Sequence, residues 1–150
     1  MSLQFSTYDL RVQESESGRR IYDIIRKKYV VLTPEEWVRQ HIIHYLITDH
    51  GFPKSLISVE KQLTVNTLTR RTDIVLYNHA GKPVLIIECK ASDIKLSQAA
   101  VDQAARYNLT LQVPWLWVTN GVSHVWCHIS HEEGNWRVEG HLPPVSELLR

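Results

Sequence analysis

Two short apolar runs joined by a turn constrain this chain more than any other feature of its sequence. Residues 74–77 (Ile-Val-Leu-Tyr) and 84–87 (Val-Leu-Ile-Ile) are mostly β-branched or aliphatic, and residues 78–83 between them include Asn, Gly and Pro. Runs of this kind, separated by turn residues, predict two strands of a hairpin or of a closely related strand pair. The sequence therefore predicts a sheet built around these two segments.

Charged residues stand at the outer ends of the two predicted strands. Asp73 precedes the first run, and Glu88-Cys89-Lys90 follows the second. Because side chains alternate across a strand, Glu88 and Lys90 share one face and Cys89 lies on the other. In an antiparallel pair of this length, Asp73 lies beside Glu88. Charges beside buried strands are costly unless they are paired or bind a metal, so the pattern predicts a site.

Two carboxylates and one ammonium suit metal-assisted hydrolysis of a phosphodiester. Mg²⁺ prefers oxygen ligands, is held by one or two carboxylates, and keeps waters for substrate phosphates. An ammonium two residues from a ligating glutamate can orient the attacking water or neutralise charge that develops on the phosphate. The alternative is a structural ion pair between two strands, which is common in proteins.

These residues form part of a wider resemblance. Asp73, fourteen intervening residues and Glu88-x-Lys90 resemble the PD-(D/E)XK nuclease signature. The surrounding sequence resembles the N-terminal nuclease domain of type I restriction enzyme R subunits and small stand-alone relatives, over about residues 20–128. The signature's proline before the aspartate is Thr72 here. Four further stretches carry the resemblance, at residues 33–40, 70–75, 103–108 and 119–121.

The resemblance implies a restriction-endonuclease-like fold with its active site at one edge of the sheet. It implies a DNA endonuclease of the restriction or DNA-processing type that uses Mg²⁺ or Mn²⁺. The implied metal ligands are Asp73, Glu88 and the Cys89 backbone carbonyl, and Lys90 positions the attacking water. Glu36 and Gln103 are the implied supporting catalytic residues.

Glu36 has a second interpretation that the sequence leaves open. Thr33-x-x-Glu36 is also a capping box, in which the glutamate bonds back to the amide of the N-cap residue. Related nucleases instead use a glutamate on this helix to complete the metal site. The two roles point the carboxylate in different directions.

The predicted contacts with DNA are basic or aromatic. The net charge of +1 and the isoelectric point of about 7.9 give little support for strong nucleic-acid binding. Basic clusters such as residues 26–28 are either phosphate contacts or solvated surface. We expect DNA as a partner, in a homodimer or a larger complex, and the alternative function is a non-catalytic or partner-dependent binding module. The expected DNA-binding residues are Arg70, Arg71, Lys95, Arg106 and Tyr107.

The order of predicted elements indicates a mixed α/β sheet flanked by helices, in one domain over residues 1–150. Residues 1–18 are expected to be a partly ordered arm, and 21–25 and 29–32 two strands, with a helix as the alternative for the first. A helix is expected from Pro34 to about His50, because Thr33 is a good N-cap and Pro34 suits the first turn. The remaining expected elements are strands at 58–65, 74–77, 84–88, 115–119, 124–130 and 136–139, and a helix over 97–112.

The sequence gives little support for a cysteine-based metal site, a disulfide framework or a membrane segment. Cys89 and Cys127 form neither a metal-ligand motif nor a disulfide framework. Cys127, His128 and His131 lack the spacing of a zinc site, because the first two face opposite sides of a strand. No apolar run is long enough to cross a membrane and the first residues do not resemble a secretory signal, so we expect a cytoplasmic protein.

Overall fold

A computed structural model describes residues 5–150 of the chain. Its first unit is an antiparallel sheet of three strands in the order β1-β2-β3: β1 (Val12–Ser15), β2 (Gly18–Asp23) and β3 (Lys28–Val31). The strand expected at residues 21–25 is confirmed over the helix, although β2 ends at Asp23. Within the segment expected as a partly ordered arm, residues 1–18, Val12–Ser15 forms β1 and pairs with β2. Residues 1–4 of that arm lie outside the described residues.

Helix α1 (Pro34–His44) begins where the sequence predicts. The Thr33 hydroxyl accepts a hydrogen bond from the Glu36 amide at 3.0 Å, which satisfies one of the free amides of the first turn. A π-helical turn, Tyr45–Asp49, continues α1. The helix buries one face, including Val38 and Ile42, against the central sheet.

The central sheet has six strands in the order β11-β10-β9-β8-β7-β4. Only β8 and β9 pair in parallel, and the other neighbours are antiparallel. This mixed sheet confirms the predicted fold class. Its strands are β4 (Ile57–Val59), β7 (Ile74–Tyr77), β8 (Pro83–Cys89), β9 (Trp115–Thr119), β10 (His124–Ser130) and β11 (Asn135–Glu139).

Helices cover both faces of this sheet. Leu85, Ile87 and Trp117 pack with the apolar face of α1. On the opposite face, Val75 and Ile86 pack with Leu111 of α2 (Gln98–Leu111). Alternate residues of β8 therefore face opposite helices, as the period of two requires.

The segment predicted as one strand over 58–65 is instead two strands in different sheets. β4 ends at Val59, and Glu60 then adopts a left-handed conformation with φ of 55°, which breaks the strand. β5 (Gln62–Val65) pairs with β6 (Leu68–Arg71), a strand that the sequence did not predict, and the two form a separate ribbon.

Two short helical elements were not predicted from the sequence. A 3-10 turn, Lys54–Leu56, precedes β4, and a short helix α3 (Val145–Leu148) follows two prolines near the end of the chain. No helix within residues 5–150 is long and apolar enough to cross a membrane.

Candidate functional site

Asp73 and Glu88 lie at the same end of the paired strands β7 and β8. Ile74 pairs with Ile87 in register, so Asp73 and Glu88 occupy the next position along the two strands. The Cys89 amide donates a hydrogen bond to Asp73 Oδ2 at 2.8 Å, which brings the aspartate carboxylate to the end of β8. The strand-pair prediction from the sequence thus places these residues correctly relative to the sheet.

Lys90 follows directly after β8. Its amide donates to the Thr119 carbonyl at 2.7 Å, so its backbone is held beside β9. Within residues 5–150 its ammonium joins no ion pair and no hydrogen bond. The lysine is half-buried, with its charge available to a ligand.

Each of the two site carboxylates has an arginine partner. Arg39 Nη2 of α1 lies 3.4 Å from Asp73 Oδ1, and Arg70 of β6 is ion-paired with Glu88. The side chains of Glu88 and Arg39 are 12% and 8% exposed, so these charges are shielded from solvent. Arginines therefore compensate both carboxylates in this state of the protein.

The carboxylate of Glu36 points into the charged cluster instead of back onto the N-cap amide. It accepts hydrogen bonds from Arg26 Nη2 at 2.9 Å and from Gln40 Nε2 at 3.0 Å. Arg39 Nε lies 3.5 Å from its second oxygen. Of the two hydrogen bonds in the predicted capping box, the described residues form only the one from the Glu36 amide to the Thr33 hydroxyl.

Glu60 belongs to the charged cluster, although the sequence favoured a surface position for it over a role as a reserve carboxylate of the site. Its carboxylate is ion-paired with Arg71 at 2.7 Å, with Arg39 at 3.2 Å and with Arg26 at 3.3 Å. Its amide donates to the Asp73 carbonyl at 3.0 Å. Burial raises the pKa of Glu60, but the arginines outweigh burial and the pKa is lowered. No sequence signal marks Glu60, because the left-handed turn that directs it inward depends on the surrounding structure.

Arg39 and Arg26 were not assigned to the site from the sequence. For Arg39, the spacing from Glu36 could have predicted the contact. Arg39 follows Glu36 by three residues, a helical spacing that places both side chains on one face. Arg26 contacts Asp23 at 2.7 Å as well as Glu36 and Glu60, so it is neither a free phosphate contact nor a solvated side chain.

Asp23 is the buried carboxylate that holds Arg26 in this cluster. It is fully buried and accepts hydrogen bonds from the backbone amides of Ile25 and Arg26 at 2.7 and 2.8 Å. Burial raises its pKa, but these amide bonds and the Arg26 guanidinium outweigh burial, so the pKa of Asp23 is lowered. The carboxylate is thus held in its charged form.

Of the predicted residues of α2, Tyr107 is the one shown in contact with Arg70. The Arg70 guanidinium stands 4.1 Å above the centre of the Tyr107 ring. Gln103 and Arg106 are exposed and, within residues 5–150, the Gln103 side chain makes no hydrogen bond to Lys90 or to a carboxylate. A surface cavity of about 430 Å³ is lined by Leu68, Gln103, Arg106, Tyr107 and Thr110.

The predicted DNA-binding residues differ in their availability. Arg70 and Arg71 are already paired with Glu88 and Glu60. Lys95 is exposed on the loop after β8 and has no ionic partner among residues 5–150. Arg106 is exposed, and its guanidinium is 5.9 Å from the centre of the Trp136 ring.

The donor set restricts which metal the site could bind. No group of three or more His, Cys, Asp or Glu side chains within residues 5–150 is placed to hold an ion. Burial raises the pKa of the Cys89 thiol well above its usual value, so Cys89 offers its backbone carbonyl instead of a thiolate. Two carboxylates and a carbonyl fit a hard cation that keeps several waters.

Comparison with known proteins relates the sequence and the fold of this chain to a family. Residues 34–143 match the family model described as the type I restriction enzyme R protein N terminus. The fold is similar to that of a fragment described as an HsdR subunit of a type I restriction enzyme from Vibrio vulnificus, with a TM-score of 0.55 and 19% identity. The match covers 78% of this chain and 24% of the solved chain, so this chain spans about a quarter of it. No curated protein matches.

Proposed function

This chain belongs to the family of type I restriction enzyme R protein N termini, and from that premise we propose that it is a divalent-metal-dependent DNA endonuclease domain. One observation carries the proposal. The Asp73 carboxylate accepts a hydrogen bond from the Cys89 amide, and the strand register sets Asp73, Glu88 and Lys90 at one end of β7 and β8. In this reading the chain is a member of the PD-(D/E)XK nucleases.

Asp73, Glu88 and the Cys89 carbonyl are the residues that would hold Mg²⁺ or Mn²⁺. When bound, the ion supplies a water of lowered pKa and positive charge that stabilises the phosphate in the transition state. The remaining steps depend on side chains of this chain.

Lys90 acts on the water that attacks the phosphorus atom. Its ammonium donates hydrogen bonds that orient this water and offset negative charge on the phosphate oxygens. Water adds to phosphorus and gives up a proton to solvent, the bond from phosphorus to the leaving sugar oxygen breaks, and the leaving oxygen takes up a proton from solvent. Glu36 and Gln103 are proposed as supporting residues: Glu36 acts through Arg39, and Gln103 faces DNA from α2.

A second candidate function follows from the arginine partners of the site. Arg39 and Arg70 neutralise the carboxylates that a metal would use. If these pairs persist when DNA binds, the chain is a non-catalytic binding or subunit-interaction module. Metal titration separates the two functions, because only a nuclease site has to release the arginines.

We also propose that the chain works within a larger assembly. The related solved chain is described as a subunit of a restriction enzyme, and this chain corresponds to about a quarter of it. The formal charge of +1 gives little affinity for DNA by itself. A homodimer or a larger restriction complex would supply the missing contacts.

Cleavage of supercoiled plasmid DNA in Mg²⁺ or Mn²⁺ tests the nuclease function. We expect Lys90→Ala to lower the cleavage rate by about a hundredfold or more, the usual effect of removing one group that stabilises the transition state. Lys82→Ala is the matched control, since Lys82 is an exposed lysine in the turn at the far end of the same strand pair. Equal rates for the wild type and Lys90→Ala would favour the non-catalytic function.

A further inference from the structure

The β5–β6 ribbon directs Arg70 toward the central sheet. Leu63 is opposite Arg70 in the register of the ribbon, so both side chains lie on one face of it. Leu63 packs against the cluster formed by Val75, Ile86 and Leu111. Arg71 is on the other face, and 64% of its side chain is exposed. The ribbon therefore positions one arginine over the proposed metal site.

Arg70 makes two contacts of different kinds in this position. Its guanidinium is ion-paired with Glu88, and it stacks on the ring of Tyr107 at 4.1 Å. The side chain remains 22% exposed, and its neighbour Leu68 lines the open cavity on α2. Tyr107 can thus keep the guanidinium in place at the surface while its charged partner changes.

A metal ion and Arg70 compete for the same carboxylate. Glu88 cannot bind a divalent cation at full strength while it is paired with a guanidinium, because the two positive charges repel each other. A phosphodiester is a good alternative partner for Arg70, since guanidinium and phosphate form strong, bidentate hydrogen bonds.

We propose that Arg70 is a mobile counter-ion that pairs with Glu88 in the metal-free protein and with a substrate phosphate in the complex. This inference rests on the proposed function, because it takes Glu88 as a metal ligand and a phosphodiester as the substrate. Its consequence is positive coupling: a phosphate that draws Arg70 away strengthens metal binding, and metal on Glu88 strengthens phosphate binding by the same factor.

The first test measures Mg²⁺ affinity by calorimetry in the absence of nucleic acid. We expect Arg70→Gln to bind Mg²⁺ about tenfold more tightly than the wild type, within the usual range for coupled sites. Arg137→Gln is the matched control, because it removes an exposed arginine paired with Glu139 on the edge strand β11. Arg70→Lys keeps the charge and should remain close to the wild type, and thermal unfolding verifies that all variants are folded.

The second test measures binding of a short DNA duplex in EDTA, where no cleavage occurs. Glu88→Gln releases Arg70 and should bind the duplex more tightly than the wild type. In an Arg70→Gln background the same substitution should give a much smaller gain. A gain of the same size in both backgrounds is a general charge effect and contradicts transfer of Arg70 to phosphate.

The outcomes separate this inference from the proposed function. If Mg²⁺ binding depends on Glu88 but Arg70→Gln does not strengthen it, the metal site stands and the counter-ion role of Arg70 is wrong. If Glu88→Gln binds Mg²⁺ as well as the wild type does, the proposed metal site itself is wrong.

Discussion

Asp73 is the residue at which the sheet, the first helix and the proposed metal site meet. Its carboxylate accepts the Cys89 amide and contacts Arg39 of α1, while its carbonyl accepts the Glu60 amide at the end of β4. The sequence predicted that Asp73 lies beside Glu88, because strand alternation is a local rule. It could not predict Arg39 as a partner, because that contact depends on how α1 packs on the sheet.

Asp73→Asn should remove Mg²⁺ binding and also destabilise the metal-free protein. The substitution leaves the buried Arg39 with less negative charge around it and weakens a charged hydrogen bond, at a cost of about 1–3 kcal/mol. Chemical denaturation with and without Mg²⁺ measures both effects. Asp93→Asn, at an exposed loop aspartate, is the control. If Mg²⁺ stabilises Asp73→Asn as much as the wild type, the ion binds elsewhere.

Glu36→Ala should destabilise the protein more than Thr33→Ala does. Thr33→Ala removes one helix cap, which costs about 0.5–2 kcal/mol. Glu36→Ala takes a carboxylate away from Arg26, Arg39 and Gln40, and breaking a buried ion pair costs about 3–5 kcal/mol. Urea denaturation in EDTA compares the two variants directly. Equal losses would mean that the ion pairs of Glu36 stabilise the protein no more than one helix cap does.

At the scale of elements, the strands and helices with strong local signals were predictable. α1, α2, β7 to β10 and the fold class follow from caps, apolar periodicity and turn residues. β5 falls within the strand predicted over 58–65, but β6 and its pairing with β5 were not predicted, because residues 66–71 are mostly polar and show no clear apolar period. Its pairing depends on the left-handed residues Glu60 and Asn66, neither of which is glycine. The arginines of the site come from this ribbon, from α1 and from the β2–β3 turn.

The ion pairs of Arg26 with Asp23 and Glu60 should make the stability of the protein sensitive to acid. The pKa values of Asp23 and Glu60 are lowered in the folded protein. Their contribution is complete above the unfolded-state pKa values, about 3.9 for Asp and 4.3 for Glu, and is lost as the pH falls through the lower folded values. We expect the free energy of unfolding to fall below about pH 4, and to fall less steeply in Asp23→Asn. The same acid slope in Asp23→Asn would contradict this assignment.

At the scale of the whole molecule, the distribution of arginines limits binding of DNA by the isolated chain. Arg26, Arg39, Arg70 and Arg71 are all paired with carboxylates, and the formal net charge is +1. Within residues 5–150, the cations near the site without a carboxylate partner include Lys90, Lys95 and Arg106. The four paired arginines therefore offer no unpaired charge to DNA in this structure.

Duplex binding by the monomer should be weak, with a shallow dependence on salt. We expect a slope equivalent to about three to five phosphate contacts, with Arg70 and Arg71 contributing only if they leave their carboxylates. Fluorescence titration of labelled duplex at several salt concentrations measures the slope, and Lys95→Ala should reduce it by about one contact. Nanomolar binding by a monomer at physiological salt would contradict the need for partners.

The central claim is that Asp73 and Glu88 bind a divalent metal, and a crystal structure of the protein with Mn²⁺ tests it most directly. Anomalous scattering locates the ion without reference to any assumed ligand. We predict one Mn²⁺ site between the Asp73 and Glu88 carboxylates and the Cys89 carbonyl, with Arg70 displaced from Glu88. A fully occupied Mn²⁺ elsewhere, or no Mn²⁺ at these residues while Arg39 and Arg70 keep their carboxylates, would contradict the nuclease assignment.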